Sequence, residues 1–259
     1  MNMKDAITSF VKEYVDKYPA ETEWRTPLVG FAEANGEYLS KIRQITDANH
    51  AEPRQVIPDA ETVIAFFLPF TEELCMGNAK PGAESQAWAV AYEETNNLIK
   101  DLSCAIVEFL KKQGWHAALP DPYTNYEEEV LRSRWSHRHM AAAAGLGTFG
   151  INQMLITKEG CCGRYGSVVT NLPVEWDKPL QRELCLYKRL GTCLRCASVC
   201  PTGALRPDGY DRFLCNEALC RNEELYNQEP HVYKGLVPQD TDLCGKCSSG
   251  MPCSLRAPI

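Results

Sequence analysis

Nine of the thirteen cysteines in this 259-residue chain, Cys185, Cys193, Cys196, Cys200, Cys215, Cys220, Cys244, Cys247 and Cys253, fall within the last third of the sequence. The total is odd, the chain is not small and no export signal precedes it, so a disulfide framework is not expected. Thiols concentrated in this way are typical metal ligands. In the stretch GTCLRCASVCPTGAL, Cys193, Cys196, Cys200 and Pro201 stand in register with the last three cysteines and the proline of the bacterial iron-sulfur run C-x2-C-x2-C-x3-C-P. Leu190 occupies the position of the missing first cysteine.

Two kinds of metal compete for these thiols. Zinc would take Cys193 and Cys196 with Cys244 and Cys247, but that choice leaves Cys185, Cys200, Cys215 and Cys253 idle, and its 47-residue gap exceeds ribbon spacing. Iron-sulfur ligation employs nearly all of them. In two-cluster proteins the cysteine before proline crosses to the other cluster, because the loop ends there and the chain turns. That rule groups Cys200 with Cys244, Cys247 and a ligand from the intervening segment, Cys215, with Cys220 in reserve. The other cluster then takes Cys193, Cys196, Cys253 and, as a longer reach upstream, Cys185. The expectation is two [4Fe-4S] clusters. Among the remaining cysteines, Cys75 and Cys104 read as core thiols, and the neighbouring Cys161 and Cys162 as packing residues of a Gly-bounded turn.

The elements that must position these groups are legible in the hydrophobic pattern. Ile7, Phe10, Val11 and Val15 recur at helical spacing near the N-terminus, and ETVIAFFLPF at 61–70 reads as a buried strand. A long helix is expected over 86–113, stopped by Gly114, and a second over 127–144, stopped by Gly145. The runs QMLIT and GSVVT read as paired strands. Beyond residue 178 the apolar periodicity fades, so the boundary is placed there, and metal centres are expected to stand in for a core in 179–259. Gly145, Gly147 and Gly150 form a nominal G-x-G-x-x-G, but it follows a helix and leads into a strand, the reverse of a dinucleotide fingerprint. With a formal charge of −7 and no apolar run of membrane-spanning length, neither a nucleic-acid partner nor a membrane is expected, and a cytoplasmic location is.

The segments IPDAETVIAFFLPF, AAAAGLGTFGINQMLIT, GRYGSVVTNLP, CLRCASVCPTGAL and CGKCSSGMPC follow one another as in the epoxyqueuosine reductase family, which the chain resembles from about residue 55 onward, together with its relatives the reductive dehalogenases. The resemblance implies an α+β protein: a nitroreductase-like, cobalamin-processing-like α/β domain over 1–178, followed by a bacterial two-cluster ferredoxin-like domain over 179–259. It also implies cobalamin in the first domain, reduced through the clusters. Gly145, Gly147, Gly150, Arg164 and Ser167 are then candidates for the corrinoid pocket. Where the family carries D-x-x-P-x-x-E-R, with the aspartate as proton donor, this chain has Leu131, Arg134, His137 and Arg138, so only the arginine matches. His137, His139, Arg138 and Tyr165 are the candidate catalytic residues in its place; on a continuous helix Trp135 and His139 would share a face. The implied partners are a low-potential donor of the ferredoxin or flavodoxin type and either a small-molecule substrate or a partner corrinoid protein. The helical repeats with which some members engage tRNA do not follow residue 259, a further reason not to expect nucleic acid.

Overall fold

The structure, a computed structural model, describes residues 2–120 and 126–258. In chain order it contains α1 (Met3–Asp16), β1 (Leu28–Glu33), α2 (Glu37–Ser40), α3 (Ile42–Ile45), α4 (Pro53–Val56), β2 (Thr62–Pro69), α5 (Glu72–Asn78) and α6 (Gln86–Lys112). Then come β3 (Ala117–Ala118), β4 (Tyr126–Glu127), β5 (Arg132–Ser133), α7 (His137–Ala143), β6 (Gly147–Phe149), β7 (Leu155–Thr157) and β8 (Gly163–Thr170). The cysteine-rich tail carries α8 (Leu186–Leu190), α9 (Arg195–Ser198), β9 (Leu205–Arg206), β10 (Gly209–Tyr210) and α10 (Arg212–Gln228).

The central sheet has the order β1-β2-β8-β3, with antiparallel neighbours throughout. Strand β2 is buried along its whole length because both faces of the sheet are covered. Its alternation divides the core in two. Val63, Ala65 and Phe67 pack with α7 and the short helices α2 and α3, whereas Ile64, Phe66 and Leu68 pack with α1 and α6. Full burial of each large side chain among these contributes about 1.5–3 kcal/mol. The N-terminal helix buries Ile7, Val11 and Val15 as its spacing predicts, with Phe10 half-buried against Phe109. Helix α6 also follows expectation: Ser85 caps its first turn by accepting from Trp88 N, and Gly114 takes the positive φ that ends it.

Three expectations require correction. The helix predicted over 127–144 is a short hairpin, β4 with β5, followed by α7 alone. Leu131 at φ 50° turns the hairpin, an ion pair from Arg132 to Asp47 anchors it, and the Ser136 hydroxyl caps α7 by accepting from His139 N. QMLIT and GSVVT do not pair with each other. Strand β7 pairs with β6, whereas β8 pairs with β2 and β3, so the two runs lie in separate sheets. Cys75 is buried as expected, but Cys104 is exposed, because α6 turns Ser103 and Ile106 inward instead.

The tail is fastened to the first part by buried polar groups as well as by apolar contacts. The Lys246 ammonium donates to the carbonyls of Asn78, Lys80 and Ala83 at 2.8–3.0 Å, and Asn78 Nδ2 donates to Cys244 O at 2.9 Å. Gly245, at φ 69°, lies so close to Trp88 that a Cβ would fall 2.2 Å from the ring. The backbone N–H groups of Cys161 and Cys162 donate to Cys253 O and Ser254 O, both at 2.9 Å. Small apolar clusters continue across this contact, joining Ile151, Met154 and Ile156 to Leu184, Cys185, Met251 and Cys253. The chain's own packing therefore supplies part of the stability that the sequence had left to metal centres.

Candidate functional site

Helix α8 fills the stretch between Cys185 and Cys193, where the first cysteine of an iron-sulfur run is expected upstream of its usual place. Cys185 is its N-cap and is buried, Leu190 is its last residue and is exposed, and Gly191 closes it in the left-handed conformation. One short helix thus spans the extra reach from Cys185 to Cys193. Cys193 itself sits at φ 73°, a strained conformation for a residue with a Cβ. Cys185, Cys193, Cys196 and Cys253 line one pocket, whose remaining wall is apolar apart from Asn152: Ile151, Ile156, Leu186 and Met251 among others.

Electrostatics show how near the sulfurs of both sets lie to one another, since Cys196 of the first is among those that raise Cys247 of the second. Burial, followed by the nearby Cys253 and Cys185 sulfurs and then Cys193, pushes the Cys196 thiol up to about 11 against an opposing hydrogen bond from the Ala197 backbone. The Cys247 thiol is raised first by burial and then by Cys244, Cys215, Cys196 and Cys200. Cys244 is raised by burial and by Cys215 and Cys200, with the Lys246 ammonium opposing. Burial also raises Cys200, but hydrogen bonds from the backbone N–H groups of Leu205, Thr202 and Ala204 and from the Thr202 hydroxyl outweigh it and hold the thiol below its ordinary range. Thiols gathered so closely resist joint ionisation, and a bound cationic centre removes that cost. Cys220, exposed on α10, is contacted by Asn216 Nδ2 at 3.5 Å and does not figure in these interactions.

The donor set suits clusters better than zinc. Thiolates around one tetrahedral zinc, with bonds of about 2.3 Å, must approach one another to about 4 Å. Among the described residues no three His, Cys, Asp or Glu side chains converge closely enough to hold a single ion. A four-iron cluster spreads its four thiolates, one to each iron, and so asks only that they line one pocket, as Cys185, Cys193, Cys196 and Cys253 do.

The turn cysteines are not bystanders. Cys161 Sγ lies 3.9 Å from Cys253 Sγ and donates to it, which pulls the Cys253 thiol down and pushes Cys161 up. Asn152 joins the two groups, its Nδ2 donating to Cys247 O at 2.9 Å and lying 3.9 Å from Cys161 Sγ. Cys162 faces the other way, where its hydrogen bond holds the Cys75 thiol down to about 7.

A second group of polar residues lies at the start of α7, against β8. Trp135 precedes the helix and does not share a face with His139. Its Nε1 donates to Ser167 Oγ at 3.0 Å, and His137 Nδ1 lies 2.8 Å from the same oxygen. His139 instead lies tilted against Phe149, 4.4 Å between ring centroids, with Nδ1 2.8 Å from Ser136 Oγ. Buried His50, which sequence reasoning did not single out, accepts from Ser136 N at 2.9 Å. Arg138 donates to Gln153 O at 2.6 Å, while the Arg164 guanidinium lies 4.1 Å from the Tyr92 ring centroid and makes no hydrogen bond or ion pair among the described residues.

These positions revise the proton-donor candidates. Tyr165 is in the core, stacked on Phe67, and its hydroxyl donates to Leu155 O at 2.7 Å, while burial raises its pKa well above the ordinary value. It is therefore removed from the list. Burial and the Arg164 charge push His137 down to about 4, and burial followed by Arg138 and His50 pushes His139 to about 3. Both imidazoles are neutral near pH 7, so neither offers a charged acid there. A histidine whose folded-state pKa is depressed contributes stability above its unfolded pKa of about 6.5 and loses it as the pH falls toward the folded value. Melting temperature is expected to drop between about pH 6.5 and 4, and His137→Gln to flatten part of that slope in parallel thermal melts.

The glycines have a packing role of their own. A Cβ on Gly145 would stand 2.4 Å from Lys178 O, on Gly147 2.1 Å from Ile156 O, and on Gly150 2.5 Å from Asn152 Oδ1. Their faces are occupied by the chain itself, and Ser167 is buried. Of the residues named for a corrinoid, only Arg164 presents an uncommitted polar group, so these residues alone do not form a corrinoid cradle.

No protein-family model matches the chain. Among curated proteins it is 44% identical over 265 aligned positions to an epoxyqueuosine reductase of Lactococcus garvieae, an alignment covering 93% of this chain and 69% of that one. It is 28% identical over 225 positions to that of Gloeobacter violaceus, covering 85% of this chain and 65% of the relative's length. Among solved structures, an epoxyqueuosine reductase crystallised with an epoxyqueuosine-modified tRNA-Tyr stem loop superposes with a TM-score of 0.62 at 19% identity, covering 97% of this chain and 65% of that one.

Proposed function

Because the chain belongs to the epoxyqueuosine reductase family, we propose that it is an iron-sulfur oxidoreductase in which two [4Fe-4S] clusters in residues 179–259 pass single electrons to a reduction site in residues 1–178. Cys185, Cys193, Cys196 and Cys253 hold one cluster, and Cys200, Cys215, Cys244 and Cys247 the other. The observation that carries this reading is the single pocket lined by the first four cysteines. When bound, the clusters supply low-potential one-electron chemistry. The chain's part is to hold them, to exclude water with Ile151, Leu205 and Met251, and to direct N–H groups at the Cys200 sulfur.

The ferredoxin-like character of the tail and the nitroreductase-like character of the first part belong to the same proposal, as does a reducing compartment such as the cytoplasm. All thirteen cysteines are free, and no helix among the described residues is long and apolar enough to cross a membrane. The proposed reduction site is the half-buried ground around His137, Arg138 and Arg164, where a guanidinium without an ion pair among the described residues suits an anionic group on a small-molecule substrate. A tRNA stem loop is named for one structural neighbour; with a formal charge of −7, a small molecule is the proposed substrate here.

A second reading has its own support. The glycines and Ser167 are turned to the chain itself, and this favours a carrier that delivers electrons to a partner's corrinoid and has no substrate of its own. Anaerobic reconstitution followed by metal analysis and cobalamin titration tests both. About eight irons per chain support the two-cluster reading, and stoichiometric zinc without iron overturns it. Retained cobalamin places reduction in this chain, whereas none retained or bound assigns it to the partner.

A further inference from the structure

The cysteines of the first group differ in exposure. Cys185 and Cys196 are buried and Cys253 half-buried, while Cys193 is exposed in the middle of a run, Leu190–Arg195, in which every residue is exposed. Large apolar side chains stand in solvent around it: Leu190 is 60% exposed, Leu194 37% and Val199 39%. The charge of this segment is opposite to that of the chain. From Cys185 to Pro207 there is no Asp or Glu, whereas Lys188, Arg189, Arg195 and Arg206 are present, in a protein of net charge −7. Among the described residues two carboxylates adjoin the segment through ion pairs, Glu183 at 3.8 Å from Lys188 and Asp208 at 3.9 Å from Arg206, which leaves Arg189 and Arg195 without one.

We propose that the Leu190–Arg195 loop, with Val199 and the basic residues beside it, is the docking surface for an acidic one-electron donor protein. The proposal rests on the iron-sulfur reading of Cys193. A small apolar centre with a charged rim is the anatomy of a protein interface, and a compact patch suits the weak encounters of redox partners. Electrostatics then select the orientation. The acidic remainder of the chain repels an acidic partner, and this segment attracts it, so the complex forms where a cluster ligand reaches the surface. In the transfer itself no bond forms or breaks: the donor's reduced flavin loses one electron and the oxidised cluster gains it. Nucleic acid would use the basic side chains but would gain nothing from exposed leucines beside a cysteine.

The test is anaerobic stopped-flow reduction of the reconstituted protein, followed by cluster absorbance and electron paramagnetic resonance, with two donors: a reduced acidic flavodoxin and photoreduced 5-deazariboflavin, which is small and uncharged. For the unmodified protein the flavodoxin rate is expected to fall as ionic strength rises from about 0.05 to 0.3 M, while the deazaflavin rate holds. The double variant Lys188→Glu/Arg195→Glu is expected to lose about tenfold in the flavodoxin rate at low salt and to keep both its iron and its deazaflavin rate. An intact variant with an unchanged flavodoxin rate overturns the surface, and so does a salt-independent rate in the unmodified protein, which needs no variant to fold. If the variant instead loses affinity for a tRNA stem loop while the flavodoxin rate is unchanged, the surface belongs to nucleic acid and the proposal fails. Failure to take up iron at all, with neither donor producing a cluster signal, defeats the iron-sulfur reading and this surface with it.

Discussion

Cys185→Ala is expected to abolish one four-iron signature and leave the other. The substitution leaves Cys193, Cys196 and Cys253 as the thiolates of the apolar pocket, so the cluster is either lost, with iron falling from about eight to about four per chain, or retained with one iron missing. Electron paramagnetic resonance of the reduced protein separates these outcomes from an intact pair of clusters. The fold is expected to persist, because Cys185 lies at the end of a short helix and its backbone N–H is held by Glu183 Oε1 at 2.9 Å, a contact alanine keeps. Two undamaged signatures would mean that the fourth ligand is another thiol. Cys161, 3.9 Å from Cys253, is then the one to replace.

The second large effect separates two cysteines on one helix. Cys215→Ala is expected to eliminate the cluster held with Cys200, Cys244 and Cys247, whereas Cys220→Ala leaves iron content and spectra unchanged. Both residues lie on α10, five positions apart and therefore on different faces. Cys215 is close enough to raise the Cys244 and Cys247 thiols and to share a hydrogen bond with Tyr210. Cys220 points to solvent. The reverse result, iron lost with Cys220 and kept without Cys215, would move the ligand one turn along the helix and redraw the second site.

Much of the scaffold could be read in advance where one element carries its own signal. The run at β2 is apolar at every position because both faces of its sheet are covered. Helix α6 announces itself by Ser85 at one end and Gly114 at the other. The stretch before α7 misled because its residues tolerate a helix, and it is the turn at Leu131, the ion pair from Arg132 to Asp47 and that from Arg134 to Glu127 across the turn that bend it into a hairpin. Ser136, placed just ahead of HRHMAAA, was the capping signal that marked the true start. The pairing of β7 with β6 rather than β8 was illegible for a different reason: alternation shows which side chains share a face, not which strand lies alongside.

The same division runs through the sites. The sequence by itself determined the donor chemistry, since the identity of the thiols and the close spacing of Cys193, Cys196 and Cys200 are properties of neighbouring residues along the chain. Tertiary structure decided what depends on distances between segments far apart in the chain. It set Cys253 beside Cys185, rested the Cys244–Cys247 loop on Trp88 and the Asn78–Ala83 carbonyls, and spent Tyr165 on Leu155. It also joined His137 to Trp135 through Ser167, a residue thirty positions away that only the packing of α7 on β8 brings within reach.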